Sequence, residues 1–299
     1  MAHAQETPTS GPAVFKSETS DVRVDVEVTD GKHPIQTLTR DDFTVSDNGQ
    51  PQNIVYFGHD REKLALILLL DVSGSMQPHV EQLAAKAREA LSVLRPGDRV
   101  AIMVFGKRSE IHQDFSDNIA ESARQIPIAI HGHDVGAGTA INAAIADAAD
   151  YMRQNAGDSG RRAILIVTDN LCLNYKLNDD DVIRALYGVD ATLNAIVIGR
   201  GIRPGPPKAG VYVNPDFTPA DVFHLAEATG GEAVRADHPG LTFEEMVEHI
   251  RTRYLLAYHA PGGEPGSLRH IGVALTADAL RRYPSAQVHA RSGYYVPGV

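Results

Sequence analysis

The chain has 299 residues, of which 43% are hydrophobic and 22% charged, and its formal net charge is -10. The negative charge is spread along the sequence and would repel a phosphate backbone, which argues against a nucleic-acid partner. The longest apolar run, residues 64–70, is too short to span a bilayer, and one cysteine, Cys172, cannot form an internal disulfide. The length allows one large domain or two of ordinary size.

The first residues, 1–5, contain the tripeptide Ala-His-Ala, which resembles the end of a bacterial signal peptide. This predicts a mature exported protein, secreted or located in the periplasm or cell envelope. A native cytoplasmic start is the alternative, because no apolar core or basic leader precedes the tripeptide. Residues 1–15 are rich in Pro, Ser and Thr and are predicted to form a flexible arm.

The next segment has the pattern of β structure. Valines at positions 22, 24, 26 and 28 alternate with charged residues, which predicts a strand with one buried and one solvated face. Residues 43–46 and 54–57 flank Asp47-Asn48-Gly49, where Asn and Gly can adopt the positive φ of a hairpin turn. Residues 16–60 are therefore predicted to be the N-terminal part of a β domain.

From residue 61 to residue 252 the sequence predicts an α/β domain. Residues 64–70 form a continuous apolar run, as in a parallel strand covered on both faces, and helical spacing follows as far as Arg95-Pro96-Gly97. Alternation then continues to the end of the segment and predicts a doubly wound, mostly parallel sheet. Strands are predicted at 99–105, 163–167 and 194–198, and helices within 137–155 and at 180–187, 221–229 and 243–252.

After residue 253 the β pattern returns and no helix is predicted. Strands are expected at 254–259, around residues 271–275 and within 286–295. The strands at either end of the chain are too few to form a stable sheet alone. We therefore predict that residues 16–60 and 253–299 form one β-sandwich-like domain into which the α/β domain is inserted. Two separate β extensions packing on the α/β body are the alternative.

Oxygen-bearing side chains follow the apolar strand directly, in the turn that contains Asp71, Ser73 and Ser75. Hydroxyls and carboxylates are the ligands that Mg²⁺ and similar hard cations prefer. A turn of this composition can also simply cap the following helix. Two further segments favour the metal: a glycine-flanked Thr139 opens the alanine-rich helix, and the strand at 163–167 runs into Asp169. Loops at the carboxyl ends of parallel strands meet over one edge of the sheet.

The sequence D-x-S-x-S, a later Gly-Thr loop and a later strand ending in Thr-Asp together resemble the metal-ion-dependent adhesion site of von Willebrand factor A domains, over about residues 62–250. This resemblance implies a Rossmann-like fold and a divalent cation, Mg²⁺ first and Mn²⁺ or Ca²⁺ as alternatives. It also implies an Asp or Glu of a partner protein as a further ligand, in adhesion or assembly. The metal ligands that it implies are Asp71, Ser73, Ser75, Thr139 and Asp169.

The local departure from the family pattern is Asn170, where the family usually has Gly after the aspartate. In the family the last helix moves when a ligand binds, and here that helix is predicted at 243–252. Residues 42–49 and 291–295 resemble the flanking segments of bacterial proteins with a von Willebrand A-related domain. Residues 200–219, rich in Pro and Gly, are predicted to emerge at the metal edge, either selecting the partner or forming a passive loop.

Other readings of the same residues stay open at this point. The metal can be purely structural in a scaffold protein, or Asp71 can be the nucleophile of a Mg²⁺-dependent phosphoryl-transfer enzyme, although Ser73 replaces the second aspartate of that pattern. A hydrolase nucleophile at Ser73 is disfavoured, because Asp71-Val72 stands where such enzymes have Gly-x before the nucleophilic serine. His131 and His133 offer imidazoles for a transition metal, and residues 179–181, all Asp, fit a helix N-terminus. We predict a binding protein and not an enzyme.

Overall fold

The structure, a computed structural model, describes residues 21–59, 62–157, 159–171, 177–199, 201, 203, 210 and 220–297. The predicted arm at 1–15, Cys172 and most of segment 200–219 lie outside these residues. In the described ranges no helix is long and apolar enough to cross a bilayer. The strands are β1 (Asp21–Asp30), β2 (His33–Pro34), β3 (Phe43–Asp47), β4 (Gln50–Gln52), β5 (Tyr56–Gly58), β6 (Leu64–Asp71), β7 (Arg99–Phe105), β8 (Ser109–Ser116), β9 (Arg161–Thr168), β10 (Ala191–Ile198), β11 (Ala233–Ala236), β12 (Tyr254–His259), β13 (Leu268–Leu275), β14 (Ala286–Ala290) and β15 (Gly293–Tyr295). The helices are α1 (Gln77–Leu91), α2 (Ile119–His131), α3 (Ile141–Asn155), α4 (Asp179–Tyr187), α5 (Val222–Thr229), α6 (Pro239–Arg251) and α7 (Ala277–Arg282).

The central sheet has the strand order β11-β10-β9-β6-β7-β8 and is parallel except at β8, which runs antiparallel to β7. Every residue of β6 is buried, because helices cover both faces of the sheet. Side chains of α1, α2 and α6 pack in one hydrophobic cluster with one face of β6, and those of α3, α4 and α5 pack in a second cluster with the other face. The predicted doubly wound α/β fold is confirmed.

Strands from the two ends of the chain form a β sandwich. One sheet has the order β14-β1-β12-β5 with β2 beside β1, and the other has the order β15-β13-β3-β4. β1 pairs antiparallel with β12 and β14, while β3 pairs with β13, so each sheet joins N-terminal and C-terminal segments. A single hydrophobic cluster lies between the sheets and includes Val24, Val26, Tyr254 and Tyr258. The predicted insertion into a sandwich-like domain therefore holds, whereas its residue bounds stay a prediction.

Three sequence predictions about the sandwich were wrong in detail. Asn48 and Gly49 do adopt positive φ, 46° and 77°, but the strand after this turn is β4 and not residues 54–57. β5 instead pairs with β12 in the other sheet. Residues 286–295 form two strands, and α7 interrupts the C-terminal β segment, where Thr276 caps its N-terminus through a bond from the Ala279 amide.

The face of β1 that was predicted to be solvated is exposed at Arg23 but buried at Asp25 and Glu27. Asp25 and Glu27 are 8% and 2% exposed, because the sandwich packs against the amino ends of the parallel strands. Arg161, the first residue of β9, donates from Nε to Oδ2 of Asp25 at 2.7 Å. Arg253 contacts Asp25 (Nε–Oδ1 2.5 Å) and Glu27 (Nη1–Oε2 3.3 Å). The sandwich therefore contacts one end of the sheet, opposite the end at which β6 reaches Asp71.

Candidate metal centre

The turn after β6 places Asp71, Ser73 and Ser75 around one point. Asp71 is fully buried, and its Oδ1 accepts a hydrogen bond from the Ser73 amide at 3.0 Å. The hydroxyl oxygens of Ser73 and Ser75 lie 3.2 Å apart. α1 begins only at Gln77, and no side chain caps it. Among the described residues, therefore, no hydrogen bond supports the alternative in which this turn merely caps the helix.

The loop that carries Thr139 is attached to the same strand end as this turn. Phe105 O accepts a bond from the Val72 amide at 3.0 Å, and Gly106 O accepts one from the Ala140 amide at 2.8 Å. Residue 106 must be glycine for this loop to come so close to it, because a Cβ there would lie 2.9 Å from Gly136 O. The attachment brings Thr139, which is 7% exposed, beside the Asp71 turn.

Asp169 joins the group from the other side, because β9 is the other neighbour of β6. Thr168 Oγ1 donates to Oδ2 of Asp71 at 2.8 Å, and Asp169, 5% exposed, accepts a bond from the Leu171 amide at 3.0 Å. Asn170 has a φ of 57°, in the left-handed region that glycine favours and asparagine tolerates. Asn170, where the family usually has Gly, therefore adopts a backbone conformation that glycine also favours.

The electrostatics of this edge favour a cation. The pKa of Asp71 is raised to about 6, because burial and, to a smaller extent, the charge of Asp169 outweigh the hydrogen bonds from Ser73 and Thr168, which lower it. Among the described residues, no lysine or arginine is a source of the shift at Asp71. Two carboxylates and three hydroxyls form an all-oxygen donor set, which suits Mg²⁺ better than a softer metal. The residues present therefore fit a divalent cation.

The structure thus brings all five predicted ligands to one edge of the sheet. Sequence reasoning missed two contributors, the Thr168 hydroxyl that fixes Asp71 and the glycine at 106. Both positions can be recognised in the sequence, since Thr168 ends strand β9 and Gly106 directly follows strand β7. Gly201, in the Pro- and Gly-rich segment, lies at the same edge, because a Cβ there would be 2.4 Å from Asp169 O.

The other acidic and histidine motifs have different surroundings. His131 bonds to Glu81 (Nε2–Oε1 2.9 Å), whereas His133 bonds to Glu110 and His112, so the two histidines have separate partners. Residues 179–181 form the first turn of α4, where negative side chains complement the helix dipole. Neither motif joins the five residues at the metal edge.

Residues 66–171 match the sequence model of the von Willebrand factor type A domain. The chain carries a von Willebrand factor type A domain. The matched residues include all five predicted ligands of its candidate metal centre. No curated protein matches the chain significantly.

Solved structures with a similar fold include a von Willebrand factor type A protein from Catenulispora acidiphila, at 12% identity and a TM-score of 0.49, over 95% of this chain and 76% of that one. The hypothetical protein BatB from Bacteroides thetaiotaomicron has 19% identity and a TM-score of 0.47, over 62% and 97%. Proximal thread matrix protein 1 from the mussel byssus, in a structure with zinc in its metal-ion-dependent adhesion site, has 12% identity and a TM-score of 0.49, over 68% and 49%. At these values the likenesses carry no argument about function.

Proposed function

We propose that this chain is a metal-dependent protein-binding module of the adhesion or assembly type. Asp71, Ser73, Ser75, Thr139 and Asp169 would hold a divalent cation, Mg²⁺ in the first place. The bound ion would offer a coordination position to an Asp or Glu carboxylate of a partner protein. Export to the cell envelope stays a prediction from residues 1–5.

The observation that carries the proposal is the pair of buried carboxylates at an edge where no described arginine or lysine offsets the charge on Asp71. Buried charges in folded proteins are paired or coordinate metals. The exposed flank of the turn at Gly74 and Ser75 leaves the site accessible from solvent. A cation at this edge would neutralise the carboxylates and remain reachable by a partner.

A binding role fits the site better than catalysis does. Both oxygens of Asp71 already accept hydrogen bonds, from the Ser73 amide and from Thr168 Oγ1. In the pattern of aspartate phosphoryl-transfer enzymes a second aspartate stands two residues on, and here that residue is Ser73. The two hydrogen bonds fix the Asp71 carboxylate in one orientation, which suits a ligand of a metal.

The proposal is tested with Mn²⁺ as a paramagnetic probe and two short peptides that differ only by Asp or Asn at one position. Bound Mn²⁺ with exchangeable water enhances the relaxation of water protons, and we expect the Asp peptide, but not the Asn peptide, to reduce this enhancement. Asp71→Ala and Thr139→Ala are expected to weaken Mn²⁺ binding at least about tenfold. Asp180→Ala, which removes an exposed carboxylate of α4, is the matched control and should leave Mn²⁺ binding unchanged.

The outcomes separate the proposal from its alternatives. Mn²⁺ binding that responds to Asp71→Ala but not to the Asp peptide would identify a purely structural metal. Mn²⁺ binding that is the same in the wild type, Asp71→Ala and Thr139→Ala would show that these residues do not hold the ion.

A further inference from the structure

A second group of possible metal ligands lies where the von Willebrand A domain meets the sandwich. Glu27 belongs to β1, Glu232 directly precedes β11, and His249 belongs to α6. One donor atom from each of them lies within 4.8 Å of the other two. Nδ1 of His249 is 3.1 Å from Oε1 of Glu27 and also 3.1 Å from Oε2 of Glu232. Residues far apart in sequence thus bring one nitrogen and two oxygens together.

A single ring nitrogen cannot satisfy both carboxylates with one hydrogen. The hydrogen bond of His249 Nδ1 goes to Glu232, and Oε1 of Glu27 accepts no hydrogen bond from any residue that the structure describes. Glu27 is only 2% exposed, and its Oε1 is buried. A buried acceptor without a hydrogen bond destabilises the folded state. A metal ion at the position of this hydrogen would bind all three atoms at once.

The position between the carboxylates favours positive charge. Both glutamates direct a carboxylate oxygen at the same ring nitrogen of His249. Arg253 Nη1 lies 3.3 Å from the other oxygen of Glu27, Oε2. Arginine thus occupies one side of the Glu27 carboxylate, while the opposite oxygen faces His249.

The group is reached through a cavity of about 500 Å³ that Glu232 and His249 line together with His289. His289 is the cross-strand partner of Glu27 in the pair β1–β14, so both side chains leave the strands on the same face. The cavity gives an ion access from solvent and leaves space for water or a further ligand.

We propose that Glu27, Glu232 and His249 form a zinc site that joins helix α6 of the von Willebrand A domain to strand β1 of the sandwich. Zn²⁺ accepts imidazole and carboxylate ligands together, whereas Mg²⁺ prefers oxygen alone. Zinc bonds of about 2.0–2.2 Å place the ligand atoms of a tetrahedral site about 3.4 Å apart, close to the two 3.1 Å separations observed. Zinc would replace the proton through which His249 Nδ1 bonds to Glu232.

The test uses the full chain without an affinity tag, with Asp71→Ala present throughout so that the candidate centre at the other end of the sheet cannot bind the probe. Zn²⁺ is titrated by calorimetry in chelator-treated buffer. We expect one zinc ion per chain in the Asp71→Ala protein. Adding Glu232→Gln or His249→Gln should weaken this binding at least about tenfold, because each change removes a ligand.

Two substitutions provide matched controls. Glu248→Gln changes another glutamate that lines the same cavity, and His259→Gln removes an exposed histidine that lies 2.7 Å from the single carboxylate of Asp21. Both are expected to leave zinc affinity within about twofold. Because the side chain of Glu232 is 32% exposed, Glu232→Gln should preserve the fold, which circular dichroism checks. Replacing zinc by Co²⁺ should give the strong visible absorption of a four-coordinate site.

The proposal is overturned if the Asp71→Ala protein binds no zinc, or if Glu232→Gln and His249→Gln bind it as tightly as their background. A wild-type protein that binds a single zinc ion, lost on Asp71→Ala, would place zinc at the other centre and also contradict the proposal. None of these results would contradict the proposed metal-dependent protein binding at the Asp71 edge, which is tested with Mn²⁺ and peptides.

Discussion

Buried carboxylates lie at both ends of the central sheet, but they are balanced differently. At the amino ends of the strands, Asp25 contacts Arg161 and Arg253, and Asp98 contacts Arg251 (Oδ2–Nε 2.7 Å). At the carboxyl ends, the described partners of Asp71 are an amide and a hydroxyl. At the first end Asp25 and Asp98 are neutralised within the protein, because each of them has a guanidinium. At the second end, no arginine or lysine among the described residues is paired with Asp71.

The difference explains why one end is structural and the other suits binding. An ion pair that is closed by arginine has no position for an incoming group, and here it joins the sandwich to the α/β domain. Carboxylates that are fixed by hydrogen bonds, but not neutralised, can accept a cation and, through it, a partner. Substitutions at each end of the sheet should therefore have different effects on stability and on metal binding.

The largest effect is expected at the amino ends. Arg161→Met removes one of the two arginines that contact Asp25, and the free energy of unfolding should fall by about 3–5 kcal/mol, because a buried ion pair is broken and Arg253 alone remains beside the carboxylate. Urea unfolding measures the change. Arg203→Gln is the control, because its pair with Glu227 is exposed (Nη2–Oε2 2.6 Å, 50% and 61%) and should contribute less than about 1 kcal/mol. Equal losses in both variants would contradict the assigned role of the buried pair.

At the carboxyl ends the expected effect depends on the metal. Mg²⁺ at a hundred times its dissociation constant should raise the free energy of unfolding of the wild type by about 2.7 kcal/mol, and chelation should reverse this. Asp71→Ala and Thr139→Ala, with binding weakened at least about tenfold, should reduce the Mg²⁺ response to about 1.4 kcal/mol or less, whereas Arg161→Met should retain it. Thermal unfolding with and without Mg²⁺ reports the difference, and an undiminished Mg²⁺ response in Asp71→Ala would contradict the assignment.

A smaller effect is expected at Asp47, a buried carboxylate in the sandwich that is also balanced internally. It contacts Arg269 (Oδ1–Nε 2.6 Å) and accepts bonds from the hydroxyls of Tyr258 and Tyr294 at 2.8 and 2.9 Å. Tyr294→Phe should lower the free energy of unfolding by about 1.5 kcal/mol at neutral pH, because it removes a bond to a charged group. Urea unfolding again measures it, and no change would contradict the role of this hydroxyl.

The same tyrosine predicts a pH dependence. Burial and the bond to Asp47 raise the pKa of Tyr294 from 10.0 to about 12. The folded state therefore binds this proton more tightly than the unfolded state, so the contribution to stability is complete below pH 10 and is lost as the pH rises toward 12. The wild type should lose stability over this interval more steeply than Tyr294→Phe does. Parallel slopes would contradict the assignment.

The smallest effect is expected at Leu171, which follows the metal edge and is 52% exposed. Its backbone amide donates a hydrogen bond to Oδ1 of Asp169, and substitution of the side chain leaves this amide in place. Leu171→Ser should change the free energy of unfolding by less than about 0.5 kcal/mol and leave the Mg²⁺ response intact. A lost Mg²⁺ response in this variant would show that the site depends on more than its oxygen ligands.

The sequence predicts the parts of the molecule in which local pattern and burial agree. The apolar run of β6 and the motif around Asp71 are read directly, because a parallel strand must be apolar and its carboxyl end must turn. β8 was missed, since an edge strand has mixed polar and apolar residues at intermediate burial. α2 was missed with it, and its Pro127, inside the helix, argues against a helix on propensity.

Long-range pairing explains the other failures. Alternation in β1 indicated a solvated face, and nothing local shows that Arg161 and Arg253 would bury Asp25 and Glu27 there. Likewise, the spacing of Glu27, Glu232 and His249 has no motif, because three distant elements bring them together. The candidate metal centre at Asp71 was predictable because its motif resembles that of von Willebrand factor A domains and because Asp71 and Asp169 lie at the ends of neighbouring strands.

The most direct test of the account is the position of a metal in crystals of the chain grown with Mn²⁺. An anomalous difference map is predicted to show a peak bonded to the hydroxyls of Ser73 and Ser75, with Thr139, Asp71 and Asp169 completing or flanking its coordination. The same peak should be missing from crystals of Asp71→Ala. A fully occupied Mn²⁺ elsewhere, with no density at this edge, would contradict the claim that the carboxyl end of the sheet is completed by a cation.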